Sequence, residues 1–109
     1  MITMVARMHV PPHNAAAYEA LLTDVAEQVR QHESDGVPYY AWAKSVDDAD
    51  TYVVIEVYRD LAAQQAHMAS AWVRESLPRS MGLIDGPVDI KQYVTPGQEP
   101  VTHFVSNRA

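Results

Sequence analysis

Residues 51–60, TYVVIEVYRD, contain the strongest strand signal in the sequence. The first eight of these residues are dense in β-branched and aromatic side chains, which favours a strand over residues 51–58. Asp60 then carries the side chain of a helix N-cap. The following LAAQQAHMASAWVRES predicts a helix that continues until Pro78. The stretch therefore predicts a strand followed at once by a helix.

The chain before this stretch predicts a strand and a first helix. Residues 2–10 alternate in the manner of a strand, and a Pro-Pro pair ends them because proline cannot donate to a sheet. Asn14 is a suitable N-cap for the helix, and Gly36 is its expected end. The apolar face of this helix comprises Tyr18, Leu21, Leu22, Val25 and Val29.

The remaining elements complete one small α+β domain. Residues 39–45 predict a strand that the turn-rich VDDAD joins to residues 51–58 as a hairpin. A last strand is predicted at residues 88–94. The order β-α-β-β-α-β is the ferredoxin-like signature. We therefore expect a ferredoxin-like domain with an antiparallel sheet over residues 1–94, and an extended tail over residues 95–109.

Composition and charge narrow the classes of function. The chain has 109 residues and a formal net charge of -6, from 14 acidic and 8 basic residues. This balance disfavours binding to nucleic acid or to an anionic membrane. There is no cysteine, which rules out disulfides and a cysteine nucleophile. The sequence shows neither a signal-peptide pattern nor a membrane-length apolar run, so we expect a cytoplasmic location.

Both faces of the predicted third strand carry apolar side chains. One face holds Val53, Ile55 and Val57. The other face holds Tyr52, Val54, Glu56 and Tyr58. Two helices cover only one face of a four-stranded sheet, so a second copy packed sheet to sheet would cover the other. We expect a homodimer; the alternative is a monomer that leaves a weakly apolar face in water.

Three segments resemble the antibiotic biosynthesis monooxygenase family. Residues 1–22, MITMVARMHVPPHNAAAYEALL, resemble the family's first strand, proline turn and helix. Residues 48–70 resemble its central signature, and GPVDIKQYV resembles its closing strand. Within the signature the matching residues are Ala63, His67 and Ser70. The resemblance covers about residues 1–94 and implies a dimeric α+β barrel with a pocket between sheet and helices.

The resemblance implies several activities rather than one reaction. Relatives include cofactor-independent oxygenases of quinols and polycyclic phenols, haem-degrading enzymes and isomerases of small metabolites. The haem-degrading relatives use an Asn, a Trp and a His where this chain has Arg7, Tyr58 and about Leu77, so haem degradation is not expected. Gln64 stands where relatives usually carry an aromatic side chain, which enlarges or polarises the pocket.

His67 is the candidate general base that the resemblance singles out. It shares one stripe of the predicted helix with Gln64 and Ala71. If that stripe faces the sheet, the imidazole lies in the pocket with a pKa near neutrality and can accept a phenolic proton. The alternative is a histidine packed between helix and sheet and bonded to the backbone.

Arg7 is the candidate cation for an oxygenase reaction. It lies in the middle of the first predicted strand, where a charge is costly unless it is paired. As a catalytic group it would stabilise a phenolate or a peroxide anion. As a structural group it would pair with Glu56 on the neighbouring strand. The sequence leaves both interpretations open.

Aromatic side chains are candidates for lining a flat substrate pocket, although such residues equally suit a hydrophobic core. Trp72 lies one turn beyond His67 and is the first of these candidates. The predicted substrate-binding set is Tyr40, Trp42, Glu56, Tyr58 and Trp72.

We expect neither a metal nor an organic cofactor. The other histidines, His9, His13, His32 and His103, form no helical His-x-x-x-His pair and accompany no carboxylate cluster in the sequence. No Gly-rich phosphate loop follows a strand.

The favoured function is a cofactor-independent monooxygenase that acts on a small phenol or quinol with molecular oxygen. The alternatives are a barrel that binds a small hydrophobic ligand without catalysis, and an isomerase of small metabolites. Oxygen dependence separates the first from both alternatives.

Overall fold

The computed structural model describes residues 1–102, so residues 103–109 of the predicted tail lie outside the described residues. The strands and α-helices are β1 (Ile2–His9), α1 (Ala15–His32), β2 (Tyr39–Lys44), β3 (Thr51–Tyr58), α2 (Leu61–Ala69), α3 (Ala71–Leu83) and β4 (Asp85–Val94), and a short 3-10 helix (Pro12–Asn14) precedes α1. Within the described residues, no helix is both long enough and apolar enough to cross a membrane.

The strands form one antiparallel sheet in the order β2-β3-β1-β4. β3 and β1 are the two central strands, and each βαβ half contributes one of them. In the register of the sheet, Glu56 of β3 lies between Met4 of β1 and Tyr40 of β2. The predicted ferredoxin-like fold is confirmed, and so is the hairpin of β2 and β3.

The helices cover one face of the sheet and form the core with it. α1 buries the five apolar side chains that the sequence predicted for it. Helix-facing positions alternate along each strand, so Met4 and Met8 of β1 are buried. On β3 the same face carries Tyr52, Val54, Glu56 and Tyr58, all of which except Glu56 are buried. This alternation places a carboxylate among apolar side chains.

The second predicted helix is two helices, which corrects the sequence interpretation. The break falls at Ser70, whose backbone is extended with φ -65° and ψ 150°. The Ser70 hydroxyl accepts the N–H of Val73 at 3.4 Å and so caps α3. Pro78 does not end the helix but lies within α3. Its position is exposed, so water can satisfy the carbonyl that proline leaves without a partner.

Two predictions about element ends also need correction. Asn14 precedes α1 as predicted, but its side chain forms no cap. Its amide instead donates to the carbonyl of Leu83 at 3.1 Å and ties the start of α1 to the end of α3. β4 begins at Asp85, earlier than predicted, because Asp85 still pairs with His9 beyond an irregularity in the ladder.

The face of the sheet opposite the helices is largely apolar. Val5, Ile55 and Val57 lie near its centre and are half-buried by their neighbours within the sheet. Tyr39 and Tyr93 lie towards its edges and are more than half exposed, at 52% and 59%. The helices of this chain do not reach this face.

The described part of the tail packs against the domain. The Val101 side chain is buried with Ile2, Met4 and Tyr58. The amide of Gln92 holds it there, accepting the Val101 N–H at 2.7 Å and donating to the Val101 carbonyl at 3.0 Å. The division into a domain at residues 1–94 and a tail stays a prediction.

Candidate active site

A cavity of about 150 Å³ lies between the helix-facing side of the sheet and the three helices. Most of its wall is aliphatic or methionine side chains, including Met4, Met8 and Val54. One part of the wall is polar. That part comprises Tyr40, Glu56, Tyr58, Gln64 and His67, and Ser76 and Ser80 of α3 also line the cavity.

His67 is held between two carboxylates. Its Nδ1 lies 3.1 Å from both carboxylate oxygens of Glu33, and its Nε2 lies 3.4 Å from Oε1 of Glu56. The imidazole is 4% exposed, and the Glu33 and Glu56 side chains are 11% and 20% exposed. Both ring nitrogens therefore have a carboxylate neighbour in a largely dry environment. We call Glu33, His67 and Glu56 the carboxylate–imidazole chain.

Local structure brings these three residues together. Glu33 is the C-cap of α1, Glu56 faces the helices from β3, and His67 is in the last turn of α2. α2 can pack close to the end of α1 because Gly36, in the loop after α1, has no side chain. A Cβ on Gly36 would lie 2.9 Å from the Cβ of Ala63, closer than side chains tolerate.

Each carboxylate has a second partner. Nε1 of Trp72 donates to Oε2 of Glu33 at 2.6 Å, and the Trp72 ring stacks on His32. The hydroxyl of Tyr58 donates to Oε1 of Glu56. These bonds restrict the rotamers of Glu33 and Glu56, and each satisfies part of the hydrogen-bonding capacity of a largely buried carboxylate.

Charge and burial shift the pKa values in this site in definite directions. Burial by itself lowers the pKa of His67, but its bonds to Glu56 and Glu33 and their charges outweigh burial and raise the pKa overall. Burial, followed by the charge of Glu56, raises the pKa of Tyr40 and of Tyr58. At neutral pH both tyrosines are therefore hydrogen-bond donors, and a cationic His67 is favoured.

The structure brings some of the predicted site residues together and separates others. His67, Glu56, Tyr40 and Tyr58 all line the cavity. Trp72 does not line the cavity; its indole N–H donates a hydrogen bond to Glu33. Trp42 packs near Tyr52, with ring centroids 6.3 Å apart, and is not among the cavity residues.

Arg7 does not line the cavity, and it does not form the ion pair with Glu56 that was one of its two interpretations from the sequence. Along β1, alternation turns Arg7 towards the face opposite the helices, whereas Glu56 faces the helices. Arg7 pairs instead with Asp48 in the turn between β2 and β3, with 2.7 Å between Nη2 and Oδ2. Both side chains are more than half exposed, so this pair is a surface contact.

Glu33 is the site residue that sequence reasoning missed. The sequence around it predicts only that the first helix ends, at Gly36. No local pattern marks Glu33, because its partners His67 and Trp72 lie more than thirty residues away along the chain. Within residues 1–102, no group of three or more His, Asp or Glu side chains is arranged to hold a metal ion.

The carboxylate–imidazole chain lies within the part of the protein that matches a known family. Residues 1–77 match the family model described as antibiotic biosynthesis monooxygenase. The chain belongs to the antibiotic biosynthesis monooxygenase family. The resemblance predicted from the sequence is confirmed. No curated protein sequence gives a significant match to this member of the family.

Solved structures share the fold of this family member. A candidate antibiotic biosynthesis monooxygenase from Caulobacter crescentus is 25% identical, with a TM-score of 0.80 over 84% of this chain and 86% of that one. Rv0793 from Mycobacterium tuberculosis is 24% identical, with a TM-score of 0.78 over 91% and 98% of the two chains. PA3566 from Pseudomonas aeruginosa is 24% identical, with a TM-score of 0.74 over 86% and 92%.

Proposed function

We propose that this protein is a cofactor-independent monooxygenase that oxidises a small phenol or quinol with molecular oxygen. One observation carries the proposal: a largely buried carboxylate–imidazole chain faces a mostly apolar cavity beside tyrosine hydroxyl donors. A cavity of this size suits a single aromatic ring, since an engineered apolar cavity of about 150 Å³ in another protein binds benzene.

Glu56 accepts the substrate proton in this proposal. His67 and Glu56 both line the cavity, but both nitrogens of His67 already face carboxylates, which makes the Glu56 carboxylate the better proton acceptor. A phenol hydroxyl that donates to Glu56 transfers its proton there, and the phenolate forms beside the imidazolium of His67. His67 thus supplies the positive charge that the sequence interpretation assigned to Arg7.

The oxygen chemistry uses electrons of the substrate itself. The phenolate adds dioxygen at a ring carbon that carries hydrogen, and a proton returns to give a ring hydroperoxide. Loss of that carbon's proton breaks the O–O bond, forms a C=O group and releases water. For a phenol with a free para position the sum is phenol plus dioxygen giving a quinone plus water, so no external reductant is needed.

The apolar wall supports this chemistry by excluding water. Methionine and aliphatic side chains surround most of the cavity, so a reactive hydroperoxide is shielded from hydrolysis. Tyr40 lies near the imidazole, with ring centroids 5.8 Å apart, and orients an aromatic ring beside Glu56. The neutral hydroxyl of Tyr58 holds Glu56 in place.

We also propose that the protein acts as a homodimer. The sheet face opposite the helices presents Val5, Ile55 and Val57, with exposed Tyr39 and Tyr93 around them. Soluble monomers rarely leave such an apolar face in water. A second copy packed sheet to sheet covers it with an isologous contact.

Oxygen uptake tests the proposed activity. Metal-free, flavin-free protein is supplied with single-ring phenols and quinols, and uptake is recorded for the wild type, Glu56→Gln and Glu75→Gln. Glu75 is exposed on α3, so its variant makes the same charge change outside the cavity. We expect uptake by the wild type and Glu75→Gln, and at least about a hundredfold loss in Glu56→Gln, typical of a general base. Equal uptake by both variants would remove Glu56 from the mechanism.

A further inference from the structure

The charges of the carboxylate–imidazole chain bear on which charge a ligand in the cavity can have. Two carboxylates, Glu33 and Glu56, flank one imidazole. When His67 is protonated, the three groups together carry one net negative charge. Glu56 lines the cavity, and most of the remaining wall is apolar, so its charge is screened less than it would be in water. Charged groups brought into the cavity therefore interact strongly with Glu56.

We propose that the cavity selects neutral single-ring ligands that donate a hydrogen bond to Glu56, and that it rejects ligands carrying a carboxylate. This inference rests on the proposed function in one respect, that the ligand binds in the cavity beside Glu56. It does not require that the ligand be oxidised. It names the polar group that the ligand must present: a phenol hydroxyl or another neutral donor. Free phenols and quinols fit this class, and benzoates do not.

The partners of Glu56 explain why a donor is required. Tyr58 and His67 both approach Oε1 of Glu56. A carboxylate accepts hydrogen bonds on both of its oxygens, and neither of these two contacts uses Oε2, so the proposal assigns Oε2 as the acceptor for a ligand in the cavity. A hydrogen bond to a charged acceptor contributes more than one between neutral groups. A ligand with an acceptor in that place leaves Glu56 without compensation for the water it displaces.

Proton transfer within the site is consistent with this selectivity. When Glu56 takes the proton of a neutral phenol, the total charge of ligand and protein is unchanged. A ligand that already carries a carboxylate adds a second negative charge before any reaction starts. A phenolate that forms in the site by proton transfer to Glu56 is therefore accommodated, whereas a ligand that enters as an anion is repelled by the ionised Glu56.

Three ligands with the same ring and methyl group test the inference. They are 4-methylphenol, 4-methylanisole and 4-methylbenzoate, which present a donor, an acceptor and an anion in the same position. Binding to the full-length wild type is measured at neutral pH by calorimetry and by NMR shift changes at the cavity. We expect 4-methylphenol to bind at least about tenfold more tightly than 4-methylanisole, and 4-methylbenzoate to bind most weakly.

Variants separate the local carboxylate from overall charge. In Glu56→Gln we expect the three affinities to come within a few-fold of one another, whereas Glu75→Gln keeps the wild-type order. The inference is overturned if 4-methylbenzoate binds the wild type as tightly as 4-methylphenol, or if 4-methylphenol does not bind. The expected order without oxygen uptake for any phenol would refute the oxygenase proposal alone. Turnover of carboxylated phenols as fast as neutral ones would refute the selectivity alone.

Discussion

Glu33 presents both of its carboxylate oxygens to Nδ1 of His67 at 3.1 Å, although 34 positions separate the two residues in the chain. The contact joins the end of α1 to the last turn of α2. It fixes which way the imidazole turns, so that Nε2 is directed to Glu56 at the cavity wall. The packing of α1 against α2 therefore influences the protonation of His67 through this one contact.

Replacing Glu33 by Gln should lower the pKa of His67, because it removes one of the two negative charges that raise that pKa. The pKa is measured by NMR from the imidazole shifts. Asp24→Asn is the matched control, since Asp24 is exposed on the same helix. We expect the His67 pKa to fall in Glu33→Gln and to stay in place in Asp24→Asn; equal values in the two variants would contradict the assigned contact.

The stability of the protein should depend on pH through His67. The folded-state pKa of His67 is raised above its ordinary value of 6.5, so the folded protein holds this proton more tightly than the unfolded chain. The resulting stabilisation is complete below about pH 6.5 and is lost as pH rises through the folded pKa.

Urea unfolding across that pH range measures the effect. The difference in unfolding free energy between wild type and His67→Gln should be larger at the acidic end and shrink as pH rises. His13→Gln serves as control, because His13 is exposed. A difference that is constant with pH would show that His67 carries the same charge in the folded and unfolded states.

Gly36→Ala should destabilise the fold and disturb the site together. The added methyl group would lie 2.9 Å from the Cβ of Ala63, so α2 must move, and His67 with it. Overpacking of this kind costs about 1–3 kcal/mol. Gly82→Ala is the control, since a Cβ there meets nothing within 4 Å and alanine favours a helix.

Urea unfolding and the NMR shifts of His67 are the measurements for this pair. We expect Gly36→Ala to be less stable than wild type and to shift the His67 signals, and Gly82→Ala to be at least as stable as wild type. If Gly36→Ala matched the wild type in both, the close approach of α2 to the end of α1 would not position the site.

Ile55→Lys should convert a dimer to a monomer. Ile55 lies at the centre of the apolar sheet face, and a charge buried in an interface is unfavourable without a partner. Val46→Lys introduces the same charge at a residue that is 97% exposed in the turn between β2 and β3. Light scattering should give a dimer mass for wild type and Val46→Lys, and a monomer mass for Ile55→Lys. A monomeric wild type would contradict the proposed assembly.

Much of the fold follows from short-range patterns in the sequence. The β-branched run at residues 51–58 and the helical spacing from Tyr18 to Val29 both specify an element and its buried face. The break at Ser70 was missed because Pro78 is the more familiar helix breaker, yet an exposed proline is tolerated and a serine cap ended α2 first. Ser70 and Pro78 are both local signals that can end a helix. Which of them does so depends on whether water can reach the backbone groups that lose their partners.

The candidate site was predictable only where one element carries the information. The family resemblance singles out His67 and its helical stripe predicts that it faces the sheet, while alternation along β3 places Glu56 on the same face as Tyr58. Glu33 and the true partner of Arg7 depend on tertiary contacts. The distance from Arg7 to Asp48 is set by how the turn between β2 and β3 folds, which no sequence pattern specifies.

The fate of the two atoms of dioxygen tests the central claim most directly. Purified protein turns over a single-ring phenol or quinol under isotopically heavy dioxygen, and mass spectrometry then examines the product and the water. A monooxygenase that needs no cofactor places one heavy oxygen atom in the product and the other in water. A product without heavy oxygen, or a ligand recovered unchanged, would contradict the oxygenase proposal and favour an isomerase or a binding protein.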